Sequence, residues 1–388
     1  MKKILSAVLA AAFFAILSVN FSACSSENDE STKATQSAEN SAQGVNLAEN
    51  SQNLVQNSPN SSENSVNLNP NSQNSAENSA NSAANSTQKS VIKAFATMPP
   101  LTALLEILHP QGMIGLNYKP YPEDTPFLPA GVATLPVLGK HGDMNYEQIV
   151  ALKPDVIIFS KPIDKAFAEP YEKIGIKVLG ADFDFTGIEE NIRLYGETFG
   201  VEERAEKLLA FHKKTQELLA NLREKVAKKP RIYFALGIEG LQSECVKAGE
   251  SGDLATLIGG ENVVKCEQIT TSKSILPMNF ETLIALNPDA IFVREIGLYK
   301  ELMSAPNEHW QRVQAVADKK IYYAPSSPSN WLHRPPSVMR ILGYSWAFSK
   351  LHPELLSEAE FRATAKEFFA EFLRPISDED YARLEGKE

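Results

Sequence analysis

Two stretches of the chain decide its fold: Met144–Phe159, MNYEQIVALKPDVIIF, and Met278–Val293, MNFETLIALNPDAIFV. They start 134 residues apart, and over the 12 residues from each methionine 7 are identical and 3 conservative. Asn145 and Asn279 stand where a helix N-cap belongs. Glu147 and Glu281 fall in the first turn, where a carboxylate meets the positive end of the helix dipole. IVAL and LIAL supply the buried faces of two short helices. Lys153-Pro154-Asp155 and Asn287-Pro288-Asp289 then end each helix and turn the chain, because the residue before proline disfavours the α region. VIIF and AIFV are nearly continuous apolar runs, the pattern of strands buried on both faces. A common helix–turn–strand unit explains the Pro-Asp and the apolar face. It does not explain a glutamate at the same place in both copies, and the repeat therefore predicts two similar lobes.

Around the repeats, helix and strand signals alternate from about residue 90 to 375. SVIKAFAT (90–97) reads as a strand, PPLTALLEILHPQ as a helix with proline at its start, and GMIGLN as another short strand. That rhythm predicts an α/β fold of two lobes with central, mostly parallel sheets. Residues 202–228 hold no Gly or Pro and are rich in Ala, Leu, Glu and Lys. Ala205, Leu208, Leu209, His212, Leu219, Leu222 and Val226 lie along one stripe. One interlobe helix over 202–229, of about 40 Å, is expected to join an N-terminal lobe (91–201) to a C-terminal lobe (230–388). In the second lobe, Val338, Ile341, Leu342 and Trp346 with Arg340 read as a packed helix.

The chain opens with Lys2 and Lys3, an apolar run over 4–20 and Phe21-Ser22-Ala23-Cys24. This is the layout of a secretory signal (1–24), and its cysteine resembles a lipobox, with Cys24 lipidated. Residues 25–90 contain 15 Asn, 16 Ser and no aromatic residue. Such a segment cannot bury enough apolar surface to offset its ordering entropy, and it reads as a disordered tether with a reach of roughly 45 Å. The protein is thus expected in the periplasm or at the cell surface, lipid-anchored to a membrane. A net charge of −10 argues against nucleic acid as a partner. Cys245 and Cys266, in an oxidising compartment, could form a disulfide or stand as separate thiols.

An exported, tethered chain with two α/β lobes joined by a long helix resembles the substrate-binding proteins of ABC importers for ferric siderophores, haem and cobalamin. The resemblance spans roughly residues 90–375. HWQRVQAVADKKIYYAP (309–325) and RPPSVMRILGYSWAFSKLHPE (334–354) add to the repeats as markers. It implies a monomer without a cofactor of its own that delivers a metal complex to a membrane permease with its ATPase. The cargo would be an iron chelate (siderophore or haem), cobalamin or a nickel complex. The resemblance also implies that Glu147 and Glu281 dock on permease arginines, one per lobe. Helix capping is the competing account of both.

Ligands of open α/β sheets bind beyond the carboxyl ends of the strands. The residues there are Met98, Tyr118, Tyr121, Lys140 and His141 in the first lobe, and Glu239, Arg294, Trp331, His333 and Arg334 in the second. Cations suit carboxylate, catecholate or propionate groups, and aromatic faces suit a large flat chelate. His141 and His333, on opposite lobes, could ligate a metal across the cleft, or could be surface or hydrogen-bonding histidines. His109, His212, His309 and His352 read as structural. No G-x-S-x-G, H-E-x-x-H or C-x-x-C occurs, so the residues point to a binding protein and not to an enzyme. A surface lipoprotein using the same fold for adhesion is the competing class.

Overall fold

The computed structural model describes residues 90–244, 254–265 and 275–387. Cys24, Cys245, Cys266 and residues 25–89 lie outside the described residues, and with them the expected lipidation, tether and bridge. The first lobe contains β1 (Ala94–Ala96), α1 (Pro99–Leu108), β2 (Gly139–Lys140), β3 (Asp143–Met144), α2 (Tyr146–Ala151), β4 (Val156–Ser160), α3 (Lys165–Glu172), β5 (Lys177–Ala181) and α4 (Ile188–Phe199). Its parallel sheet runs β1-β4-β5. After α5 (Glu202–Arg223) come β6 (Arg231–Ala235), β7 (Gln242–Glu244), α6 (Leu254–Leu257), β8 (Glu261–Asn262), β9 (Ile275–Pro277), α7 (Phe280–Leu286) and β10 (Ala290–Val293). The chain ends with α8 (Ile296–Ser304), α9 (Gln314–Ala317), β11 (Ile321–Tyr323), α10 (Arg340–Leu351), α11 (Glu358–Phe372) and α12 (Asp378–Leu384). The second parallel sheet runs β11-β10-β6-β8.

The two quoted stretches form the same unit down to single atoms. Asn145 Oδ1 accepts the Gln148 N–H at 3.0 Å, and Asn279 Oδ1 accepts the Thr282 N–H at 2.8 Å. Ile149 and Leu283, both fully buried, anchor α2 and α7. Each helix is followed, within two residues, by one in the left-handed region, Lys153 (φ 52) and Asn287 (φ 43). The aspartates that follow do more than turn the chain. Asp155 Oδ2 accepts the Lys93 N–H at 2.7 Å and Asp289 Oδ2 accepts the Arg231 N–H at 2.8 Å. Each aspartate thus ties the incoming strand, β4 or β10, to the start of its parallel neighbour, β1 or β6.

Both sheets are buried on two faces, and the alternation of strand side chains sorts the core. Phe95, Ile157 and Phe159 face an outer cluster with Ile149 and Tyr171. Tyr233, Ile291 and Val293 face another with Leu283 and Trp310. The opposite faces, Ala94, Ala96 and Ile158 from one lobe and Ile232, Phe234 and Phe292 from the other, belong to one continuous core with α1, α4, α5, α10 and α11.

Three differences from the sequence reading are physical. The segment GMIGLN makes only single bridges, Ala94↔Met113 and Leu116↔Val137, because Pro110–Gly112 is a turn of 3₁₀ helix that consumes the approach. Helix α5 has 22 residues, about 33 Å, and not 40 Å. Its end tightens into three-residue bonds, Lys225 N–H to Leu222 O and Val226 N–H to Arg223 O, and these close the last turn. Finally, α10 and α11 return from the second lobe onto α5 and the first lobe. Arg204 in α5 donates to the carbonyls of Ile107 (2.6 Å), Phe372 (2.8 Å) and Glu371 (3.2 Å), and Phe127 meets Phe369 edge-on at 6.2 Å.

Candidate functional site: the cleft between the lobes

A cleft of about 770 Å³ opens between the lobes, within the range of small-molecule sites. The first lobe contributes Pro99 and Pro100 from the start of α1 and Tyr118, Lys119, Tyr121, Glu123, Asp124 and Phe127 from the long loop after it. The second contributes Arg294, Glu295, Ile296 and Lys300 beyond β10, and Tyr323 with the run Ser326–Asn330 beyond β11. Pro335–Ser337 and the C-terminal Arg383, Leu384 and Gly386 complete the wall. Strands β1, β10 and β11 therefore all point their carboxyl ends at it, as the sheet topology requires.

The wall is aromatic and of mixed charge. Tyr118 and Tyr121 stand half exposed or more, and the Tyr323 hydroxyl lies 2.8 Å from Ser326 Oγ. Arg294 sits 3.7 Å from Glu295 with both side chains over two-fifths exposed, a weak pairing in water that a ligand anion can displace. Lys119 and Lys300 make no ion pair among the described residues. On the floor, the Asp124 carboxylate accepts the Ser327 hydroxyl and joins the lobes. Its pKa is raised, chiefly by burial.

A small recess leads off this floor. Pro99, Tyr118, Asp124, Pro328 and Ser329 line both it and the cleft, and Glu106 lines only the recess. Glu106 is only 7% exposed. Burial, with the charge of Asp124 added, pushes its pKa up to about 8, so that it is a neutral acid at pH 7. The Tyr118 hydroxyl is pushed up to about 12 by burial and by the carboxyl groups of Glu106 and Asp124.

Of the ten residues expected at the ligand, Tyr118, Tyr121 and Arg294 line the cleft. Met98 caps α1, its carbonyl accepting from Leu101 and Thr102. Lys140 is exposed on β2, and Glu239 lies in the exposed turn after β6. The His141 ring packs on Phe167 at 4.5 Å, and its backbone N–H donates to the Thr97 carbonyl.

Trp331 is sealed between Phe361 and Phe369, and its indole N–H donates to Ser327 O at 2.9 Å. His333 is fully buried against Phe234. Burial and the charges of Arg294 and Arg340 push its pKa down to about 3. The backbone N–H of Arg334 donates to Glu244 Oε1 at 2.6 Å. The run SNWLHRPPS turns Trp331, Leu332 and His333 inward because the shared core offers them apolar surface.

Neither His141 nor His333 lines the cleft. Among the described residues no group of three or more His, Cys, Asp or Glu could hold a metal. Glu147 and Glu281 are both exposed in the first turns of α2 and α7.

Sequence reasoning missed Glu106, Asp124, Phe127, Lys300, Tyr323 and Ser327. Glu106 carried a visible signal, a lone charge in a helix whose residues from Pro100 to Leu108 are all buried. A charge is almost never fully buried without a partner or a purpose. Tyr323 lies at the end of a strand, where the rule used for the other loops already pointed.

Comparison with known proteins follows this architecture. Residues 114–328 match the family described as periplasmic binding protein. An ABC transporter solute binding protein from Sulfurospirillum deleyianum has a similar structure, with a TM-score of 0.66 and 30% identity over 76% of this chain and 94% of that one. The molybdate periplasmic binding protein MolA of Haemophilus influenzae, with a TM-score of 0.59 and 18% identity over 73% and 92% of the two chains, shares the fold. The high-affinity heme uptake system protein IsdE of Staphylococcus aureus is 25% identical over 202 residues, 50% of this chain and 68% of its own.

Proposed function

Because the chain belongs to the periplasmic binding protein family, the extracytoplasmic substrate-binding components of ABC importers, we propose that its cleft captures an iron chelate, siderophore or haem, or a related metal complex for delivery to a permease. The observation that carries this reading is the 770 Å³ interlobe cleft, where Tyr118, Tyr121 and Tyr323 meet Lys119, Arg294 and Lys300. Aromatic faces take up the apolar body of a chelate, and the cations take its carboxylate, catecholate or propionate groups. The likeness to a haem-uptake protein supports the same cargo class. A cobalamin or nickel chelate is the alternative within the class.

Glu147 and Glu281 are the proposed permease contacts. Their equivalent exposed settings on α2 and α7 give a two-lobed protein the same acidic contact twice, suited to arginine partners. Lipidation at Cys24 and a tether up to residue 90 would hold the protein at the membrane.

Equilibrium binding to ferric catecholate and hydroxamate siderophores, haem, cobalamin, and nickel with histidine tests the reading. Saturable binding of one compound, weakened about tenfold by Arg294→Ala, is the expected outcome, since charge-assisted bonds contribute about 1.5–3 kcal/mol. Folded protein that binds none of them, or binding indifferent to Arg294, would overturn this assignment of cargo and site.

A further inference from the structure

We propose that the recess between Glu106, Asp124, Tyr118 and Ser329 is a subsite for a single primary ammonium group, so that the cargo carries a protonated amine beside its anionic groups. The proposal rests on the reading of the cleft as the cargo site.

The recess has the size and the chemistry for this. It is small beside the cleft, about 30 Å³ against 770 Å³, and it has room to admit an –NH₃⁺ head. Neighbouring polar groups are already spent. Thr102 Oγ1 donates to Asn117 Oδ1 at 2.7 Å, and Asn117 Nδ2 donates to the carbonyls of Ala96 and Gly139.

Glu106 is different. It is more than nine-tenths buried, lines the recess, and has no hydrogen-bond partner among the described residues. Its carboxyl oxygens are not among the sealed, unpartnered atoms of the described residues, so they are open to the recess, and a ligand donor there would gain a charge-assisted bond. Asp124 accepts from Ser327, but a carboxylate has about four lone-pair sites and keeps some for the recess. With the hydroxyls of Tyr118 and Ser329, these acceptors suffice for the three N–H donors of an ammonium. They fall short of the six to eight oxygens that calcium takes or the near-ideal octahedron of magnesium.

The groups that bear on Glu106 here are Asp124 and Tyr118, with Tyr121 and Glu123 acting on those two in turn. All are acidic or neutral, so the recess favours a cation. Because Glu106 holds its proton at pH 7, an ammonium that pairs with its carboxylate displaces that proton. Binding then tightens as the pH rises from about 6 to about 8. The cations Arg294, Lys119 and Lys300 stand elsewhere on the cleft wall, which leaves the recess to the positive end of a zwitterionic cargo.

The test needs no knowledge of the cargo. The intact protein is titrated with methylammonium chloride, with tetramethylammonium chloride, which has no N–H, and with magnesium chloride, all at constant ionic strength. Thermal stability and the infrared band of the protonated carboxyl group are followed. Methylammonium is expected to stabilise the protein and diminish that band. Glu106→Gln should lower its apparent affinity about tenfold, and tetramethylammonium should do neither.

An equal response to both ammonium salts, a methylammonium response unchanged in Glu106→Gln, or a carboxyl band untouched in the wild type would overturn the proposal. Stabilisation by magnesium in place of methylammonium would replace it with a metal site. The infrared arm uses only wild-type protein, so the test stands even if the variant fails to fold. Failure of the chelate panel together with a positive methylammonium result would reject the proposed cargo and keep the subsite.

Discussion

The carboxylate of Asp124 accepts the hydroxyl of Ser327 across 203 residues of chain, and this bond ties the two lobes together on the floor of the cleft. Ser327 is doubly engaged, since its carbonyl also takes the indole N–H of Trp331 at 2.9 Å. Ser327→Ala removes the charge-assisted bond and leaves the indole contact. Its expected cost is about 1–2 kcal/mol, read as a lowered midpoint in urea unfolding. An unchanged midpoint would mean that the shared apolar core alone holds the lobes.

Glu106 makes stability depend on pH in a definite direction. Its folded pKa, about 8, lies above the ordinary value of 4.5. Between these two values the folded state holds more protons than the unfolded one, so stability falls as pH rises, by at most about 1.4 kcal/mol per pH unit. Below about pH 4.5 both states are protonated and the contribution is constant. Glu106→Gln mimics the neutral acid and should flatten the decline between pH 5 and 8. If urea unfolding across that window gives parallel curves for wild type and variant, Glu106 does not titrate as its burial implies.

Trp331, expected from sequence at the ligand, is a core residue, and Tyr323, which the sequence reading did not single out, lines the cleft. Trp331 is fully buried against Phe361 and Phe369, so Trp331→Ala should cost about 3–5 kcal/mol of stability, as large-to-small core changes do. Tyr323 lines the cleft, and Tyr323→Ala should weaken cargo binding with a smaller loss of stability. Calorimetry of binding and of unfolding on the two variants separates these effects. A Trp331→Ala protein of wild-type stability would contradict the packing described.

The proposed permease contacts give a transport phenotype without a binding phenotype. Glu147→Lys with Glu281→Lys should abolish uptake of the bound cargo in cells and leave its affinity in solution unchanged, because both side chains are exposed on α2 and α7 and neither lines the cleft. Uptake that survives the double charge reversal would reduce both glutamates to helix capping, which would then show as a modest loss of stability in each single variant.

The sequence by itself determined the units that are local. The repeated helix–turn–strand was legible because its caps, its Pro-Asp turn and its buried strand all fall within 16 residues. Even the bond patterns of Asn145 and Asn279 follow from residue type and position. The stripe on α5 was legible for the same reason, up to Leu222.

What tertiary structure decided was which way each loop turns its side chains. Tyr118 and Arg294 reach the cleft, whereas Trp331 and His333 turn into a core assembled from α1, α5, α10 and α11. No local pattern could say so, because the apolar surface that draws them inward comes in part from segments more than two hundred residues away. The same holds for Glu106 and Asp124. Glu106 stands out in its own stretch only as a lone charge in an apolar helix and Asp124 not at all, and only the docking of Ser327, Pro328 and Ser329 from the other lobe encloses them in one recess.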